Sequence, residues 1–334
     1  MIPDGTTEKR GRTIFFLTLA FSLLLSHFNC ASAETSESRI ELETPRPGTH
    51  KYYLERVYGF RRSYLLHIPE GYNHSKALPL VVALHGGFGT ARQMEERSGL
   101  SELADRQGCI VLYPNGITLF GWLQHWNAGH CCGQAMKDGI DDVAFVSRVI
   151  DETCRRSNVD RSRISMVGYS NGGMLAYLFA AQKPEILAAV AAIAATVGSR
   201  PSDHGAEKHI PPAKAPMPII SFHGRDDDIV PYGRGRPARG RGHLYVPVNE
   251  SMAFWKTANQ AAPLPQREEM LAGRIVKETW RGKNKSAEIV LYTIQGWKHD
   301  LPTRYYTRNL PKTDPLMGFH ATDYIWDFFK RHRR

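Results

Sequence analysis

The 334-residue chain is poor in cysteine, with only 5, and none of them stands in a C-x-x-C pair. That spacing is what zinc-binding cysteines commonly need, so a structural zinc site is not expected, even at "HCC" (130–132). Beyond the first thirty residues no stretch is apolar enough to span a bilayer, which takes about 20 residues, so no membrane anchor is expected. No internal repeat exists to suggest a solenoid, and no composition shift divides the body of the chain. Acidic residues are outnumbered, 33 against 43 Lys and Arg, for a formal charge of +10. Such a balance first suggests nucleic acid.

What the N-terminus holds argues against that partner. Lys9, Arg10 and Arg12 precede an apolar run from Ile14 to Leu25, and Ala31-Ser32-Ala33 forms an A-x-A cleavage site. This reads as a secretory signal peptide, residues 1–33, cut before Glu34. The run is too short to serve as an anchor. The product is therefore expected outside the cytoplasm, extracellular or periplasmic, where an anionic polysaccharide or surface suits a basic protein better than nucleic acid. Residues 34–50 are polar with two prolines and read as a flexible lead-in; residues 51–334 read as one domain. Cys109, Cys131, Cys132 and Cys154 remain after cleavage, an even count that permits disulfides in an exported protein. The adjacent pair Cys131-Cys132 could close only a strained ring, so two separate bridges, or one bridge and two thiols, are expected.

Apolar runs alternate with amphipathic ones along the body. "KYYLERVYGFRRSYLLHIP" reads as a β-hairpin. "LPLVVAL", "CIVLYP", "RISMVGYS", "LAAVAAIAA" and "MPIISFHG" read as buried strands, and "RIVKETW" and "EIVLYTIQ" as late strands. Helices are expected near 91–106, in "DDVAFVSRVIDETCRR" with Asp141 or Asp142 as N-cap, in "NGGMLAYLFAAQ", in "NESMAFWKTANQ" and in "ATDYIWDFFKRH". Strands that are apolar throughout, alternating with helices, imply a mostly parallel sheet of about eight strands with helices on both faces, as in an α/β-hydrolase.

Gly168-Tyr169-Ser170-Asn171-Gly172 is G-x-S-x-G between a predicted strand and a predicted helix, the context of a nucleophile elbow. Ser170 is then a candidate nucleophile, and a serine hydroxyl needs a base to take its proton. In this fold the acid and then the histidine follow the serine along the chain. His299, in the loop after the last buried strand, is preferred over His320, which leads into the closing helix. The acid falls among Asp226, Asp227 and Asp228, directly after "MPIISFHG"; Asp203 lies in a loop with no strand leading in. Pattern alone does not rank the three. "LHGG" after its strand can aim a backbone N–H at a reacting carbonyl, so Gly87 pairs with Asn171 as the candidate oxyanion hole. His85 and His223 read as loop-bracing residues.

Together "LHGG", "WNAGHCCG", "DDVAFV", "GYSNGGM", "HGRDDDIVPY" and "GWKHDLP" resemble the secreted polyhydroxybutyrate depolymerase-like and feruloyl-esterase-like hydrolases of carbohydrate esterase family 1, over roughly Tyr52 to Phe329. The resemblance implies an α/β-hydrolase fold and ester hydrolysis by Ser-Asp-His without a cofactor. Its acid motif, H-G-x-x-D-x-x-V-P-Y, puts the aspartate on Asp227. It implies that Trp122, Trp126 and Asn127 help line the substrate cleft; the other reading of these three is a packed loop core held by Cys131 or Cys132. Trp297, two residues before His299, is a further candidate for substrate contact and bears on substrate preference. Leu301 departs from the family, which usually has tryptophan there. The loop "YGRGRPARGRGH", with Arg234, Arg236, Arg239 and Arg241, is either a solvated loop or a basic rim for an acidic substrate. The expected substrate is an ester-bearing polysaccharide with feruloyl or acetyl groups. The alternatives are a polyhydroxyalkanoate polyester and, in another class, a non-catalytic carbohydrate-binding role.

Overall fold

Successive apolar runs pair into one sheet whose register fixes where the loops meet. The computed structural model describes residues 45–57, 60–117, 123–200, 205–238, 243–283 and 287–334. The expected leader and most of the lead-in lie outside them, as do Trp122, Asp203, Arg239 and Arg241. β1 (Gly48–Val57) and β2 (Phe60–Ile68) form the expected antiparallel hairpin, β1 starting within the segment read as lead-in. β3 (Leu78–Leu84), β4 (Ile110–Pro114), β5 (Val159–Tyr169) and β6 (Ala189–Ile193) follow, each joined to the next by helices or long loops. Two short strands, β7 (Gly198–Arg200) and β8 (Lys208–His209), precede β9 (Ile219–Gly224). After β10 (Leu244–Tyr245) come β11 (Gln266–Met270), β12 (Ile275–Trp280) and β13 (Ile289–Ile294).

The main sheet has order β1-β2-β4-β3-β5-β6-β9-β13-β12-β11, and its centre, β4 to β13, is parallel throughout. Among the described residues it has ten strands, against the eight or so expected. β11 escaped notice because "QREEM" is polar and exposed, with no apolar alternation. Charge on an edge strand blunts further pairing, so the feature that hid the strand is the one an edge favours. A second sheet, β10-β7-β8, was likewise too short to carry a pattern.

Helices cover both faces. α1 (Ala91–Ser98) and α2 (Leu100–Gln107) replace the single helix expected there, because Gly99, at φ 68°, ends one and starts the other. α3 (Gly133–Lys137), α4 (Asp142–Arg156), α5 (Asn171–Gln182), α6 (Val248–Ala258), α7 (Arg304–Thr307) and α8 (Ala321–Lys330) complete the set. Alternate residues of β3 face opposite cores: Leu80, Val82 and Leu84 join Phe145, Leu175 and Trp255 on one side, Val81 and Ala83 join Leu103, Ile325 and Phe328 on the other. Being covered on both faces is why these strands read as continuous apolar runs. α5 is buried from Asn171 to Ala181, so it shows no polar stripe.

Asp141 caps α4, accepting the Ala144 N–H at 2.8 Å. Asp142 does something the sequence did not suggest. It is buried and pairs at 2.7 Å with Arg62, also buried, whose guanidinium lies over the Phe145 ring. Burial pushes the Asp142 carboxyl up and the Arg62 guanidinium down, and their mutual attraction opposes both shifts.

Candidate active site

The parallel registers Leu84↔Gly168, Tyr169↔Ile193, Ile193↔Phe222 and Ile294↔Gly224 bring the C-terminal ends of β3, β5, β6, β9 and β13 to one edge. Loops leaving that edge carry the "HGG" segment, Ser170, the aspartate run and His299.

Ser170 sits in the one-residue turn between β5 and α5, at φ 53° and ψ −123°. A non-glycine residue held there costs about 1–3 kcal/mol. Its N–H donates to the Ile193 carbonyl at 2.8 Å, and its own carbonyl accepts the Met174 N–H. The turn is closed tightly enough that a side chain at Gly168 would strike the Gly172 backbone, and one at Gly172 the His85 and Leu84 carbonyls. Those contacts explain both glycines of the motif.

His299 Nε2 lies 2.9 Å from Ser170 Oγ, and His299 Nδ1 lies 2.8 and 3.0 Å from the Asp227 carboxylate oxygens. A carboxylate only accepts, so Nδ1 carries the proton and Nε2 is left to accept from the serine. Asp227 Oδ1 also accepts the Ile229 and Val230 N–H groups, at 2.9 and 2.8 Å. Burial opposes ionisation of Asp227, but its hydrogen bonds with His223 and His299 outweigh it and hold the carboxyl well below the usual carboxylate range. Of its neighbours, Asp226 is exposed and Asp228 half-buried. Tyr169 donates to the His299 carbonyl at 2.6 Å, tying the histidine loop to the elbow. That role went unseen in the sequence, where Tyr169 is only the variable position of G-x-S-x-G.

Gly87 and Asn171 are neighbours: a Cβ on Gly87 would lie 3.8 Å from the Asn171 Cβ. The loop holding Gly87 is braced on several sides. Buried His85 stays neutral, its pKa lowered by burial to about 4. Its Nε2 accepts the Gly116 N–H at 2.9 Å, so its Nδ1 donates to the Gly86 carbonyl at 2.8 Å. Phe88 donates its N–H to the Gln124 carbonyl at 2.8 Å while held at φ 61°. The Asn171 side chain is engaged twice with the Trp126 backbone, as acceptor at 2.8 Å and donor at 3.0 Å, while its backbone N–H stands in the first turn of α5.

Of the residues expected to line the cleft, the three that are described, Trp126, Asn127 and Trp297, do not stand in its wall. Trp126 is fully buried, its indole N–H donating to the His85 carbonyl at 2.8 Å. Asn127 bonds Asp142, Ile140 and Gly129, which uses its backbone N–H on the start of α4 and its side-chain amide and carbonyl within its own loop. Trp297 is 8% exposed and donates to the Asp300 carbonyl. All three are structural because their polar groups find partners inside the fold. A cavity of about 250 Å³ instead opens beside the elbow, lined by Gly87, Phe88, Arg97, Tyr169, Leu301 and Tyr306 among others. Phe88, 63% exposed, is its apolar platform, edge-on to the His125 ring. A bulky aromatic inside "HGGFG" was the available signal; Arg97 and Tyr306 come from elements remote in sequence and had none.

His223 donates to the Val230 carbonyl at 2.8 Å and lies 3.4 Å from Asp227, bracing the aspartate loop. His320 stands at the start of α8, its Nδ1 3.5 Å from the Thr307 hydroxyl. Two separate bridges are not seen: the sulfurs of adjacent Cys131 and Cys132 lie together, the pair set aside above for ring strain, while Cys109 and Cys154 are thiols, which leaves two thiols as the second expectation had it. Arg234 of the Arg/Gly loop is engaged by Glu207 and Glu250, so it does not offer a free cation. Among the described residues no helix is long and apolar enough to cross a membrane.

The family described as esterase PHB depolymerase matches residues 62–206. The chain is 31% identical over 253 residues to "Putative esterase NocK" of Nocardia uniformis subsp. tsuyamanensis, covering 68% of this chain and 66% of that protein. It is 29% identical over 273 residues to "Feruloyl esterase B" of Piromyces equi, covering 81% of this chain and 45% of that protein. The acetyl xylan esterase structure from Aspergillus awamori superposes with a TM-score of 0.54 at 16% identity, covering 80% of this chain and 94% of the other, a likeness of fold. The match spans less than half of the longer feruloyl esterase.

Proposed function

The chain is an α/β-hydrolase of the polyhydroxybutyrate depolymerase-like and feruloyl-esterase-like type, and from that premise we propose that it hydrolyses carboxylic esters through an acyl-enzyme on Ser170. The observation that carries this reading is the hydrogen-bonded line Ser170–His299–Asp227 at the open edge of the sheet. His299 Nε2 takes the hydroxyl proton as Ser170 Oγ attacks the ester carbonyl. Asp227 orients the ring and stabilises its charged form. The tetrahedral oxyanion sits against the backbone N–H groups of Gly87 and Asn171, aided by the N-terminal end of α5. His299 then protonates the leaving alcohol. Water, activated by the same nitrogen, attacks the acyl-enzyme and releases the acid, restoring Ser170.

Each oxyanion donor is expected to contribute about 10²–10³ in rate. No step needs a metal or an organic cofactor. The name of the feruloyl esterase relative supports an aryl ester as substrate, which the sequence resemblance puts on polysaccharide, and the matched family keeps a polyester in view. The signal-like leader fits a polymer met outside the cytoplasm. The test is hydrolysis of p-nitrophenyl acetate, methyl ferulate, acetylated xylan and polyhydroxybutyrate by the wild type. Turnover of a polysaccharide ester with none of the polyester supports the preferred substrate. Inertness toward all four sinks the esterase reading.

A further inference from the structure

Beside the candidate active site a second cavity, of about 460 Å³, opens among α1, α2, α7 and the start of α8. Arg97 lines both cavities. α7 stands between them, with Tyr306 on the inner cavity and Arg304 and Tyr305 on the outer one. The ionisable side chains around the outer cavity are Arg97, Arg106, Arg304, Arg308 and His320, with Tyr305, against Glu96, Glu102 and Asp323. Arg106 approaches Asp323 at 3.9 Å. Arg97, Arg304 and Arg308 have no carboxylate partner among the described residues. Arg97 and Arg308 both lie over the half-exposed Tyr305 ring, at 5.8 and 4.6 Å, so one aromatic ring holds two guanidinium groups at the cleft.

Three cations gathered without an ion-pair partner repel one another, and Glu96 and Glu102 stand in the same wall without pairing them. Guanidinium groups match carboxylates with two parallel N–H donors. Free Glu side chains accept from hydroxyl groups. A ligand that brings carboxylates and hydroxyls together answers both halves of this lining, and an acidic sugar does so. The cavity volume is within the range of ligand sites, about 300–1,000 Å³.

We propose that this cleft is a subsite for carboxylate-bearing sugar residues, the uronosyl units of an acidic polysaccharide, next to the residue whose ester reaches Ser170. The proposal deepens the esterase reading by naming the polymer, and rests on that reading for the direction in which the chain lies. The basic subsite is thus built on α1, α7 and Arg308 just past it, while Arg234 of the Arg/Gly loop is neutralised.

The test is binding, read by calorimetry in the Ser170→Ala chain so that turnover plays no part. The probes are an oligogalacturonate and a neutral xylo-oligosaccharide of equal length. The expected result is preference for the oligogalacturonate, weakened by salt, and lost by about tenfold or more on adding Arg304→Gln and Arg308→Gln together, the scale of one charge-assisted hydrogen bond. Equal affinity for the two probes, or no effect of the double substitution, overturns the proposal. Both arginines are exposed and outside the candidate catalytic groups, so p-nitrophenyl acetate hydrolysis by the double variant in the Ser170 background is expected unchanged. A parallel loss there would mark a folding defect, and Arg304→Lys with Arg308→Lys, which keeps the charge, would then have to retain the preference for the subsite to stand.

Discussion

Asp227 meets His299 Nδ1 with both carboxylate oxygens, at 2.8 and 3.0 Å, while its Oδ1 also accepts two backbone N–H groups. Asp226, one residue earlier, faces solvent. Three adjacent carboxylates thus differ entirely in surroundings. Asp227→Asn is expected to lower kcat by about 10⁴-fold, because the amide can donate to Nδ1 and favour the wrong ring tautomer. Asp226→Asn and Asp228→Asn are expected to change it only a few-fold. Steady-state rates on p-nitrophenyl acetate decide it, and a crippled Asp226→Asn beside a competent Asp227→Asn would refute the assignment.

The elbow predicts an intolerant glycine. A Cβ at Gly172 would stand 2.3 Å from the His85 carbonyl and 2.6 Å from that of Leu84, both backbone atoms that cannot swing away. Gly172→Ala should therefore lose about 1–3 kcal/mol or more of stability, the cost of overpacking, and displace the loop bearing Gly87. Gly233→Ala, where nothing lies within 4 Å, should be silent. Thermal melts of the two variants check this; equal melting temperatures would contradict it.

The Arg62–Asp142 pair predicts a large effect far from any chemistry. Arg62→Met leaves the Asp142 carboxylate buried with only the Asn127 N–H beside it. Stranding a buried charge costs about 3–5 kcal/mol. Urea unfolding should show that loss, whereas exposed Arg61→Gln should stay within about 0.5 kcal/mol of wild type. A small effect of Arg62→Met would mean that water or a rearranged loop reaches Asp142.

Buried histidines set the response to acid. Burial lowers His85 to about 4 and His130 to about 3, from an ordinary value of 6.5. Between pH 6.5 and about 4 the unfolded chain therefore binds protons that these rings refuse when folded, and stability falls as pH falls. The slope is about 1.4 kcal/mol per pH unit for each ring. His125, His243 and His332, also lowered by burial, add to it. Asp227, depressed in the fold, loses its contribution only at lower pH, below about 4. Urea midpoints measured from pH 7 to pH 4.5 should fall steadily, and a flat profile would show that these rings are solvated.

The triad candidates could be read because they obey a chain order and each follows a recognisable apolar strand. Ser170 and His299 needed only that order; Asp227 needed a family register as well, since periodicity treats three aspartates alike. The sequence left the cleft walls open, for a physical reason. Trp126, Asn127 and Trp297 occur in Gly-rich loops where no period says which way a side chain points, and all three turn inward to polar partners. The walls that replace them, Phe88, Arg97 and Tyr306, meet only after the loop beyond β3, α1 and α7 are brought to one edge. β11 was hidden by the charges that suit an edge strand.

Covalent capture tests the central proposal most directly. A fluorophosphonate ester should label the folded protein once, on Ser170, with loss of p-nitrophenyl acetate hydrolysis in proportion to labelling, as read by peptide mass spectrometry. Ser170→Ala should neither label nor turn over. Label on another residue, or hydrolysis that survives Ser170→Ala, would contradict the account.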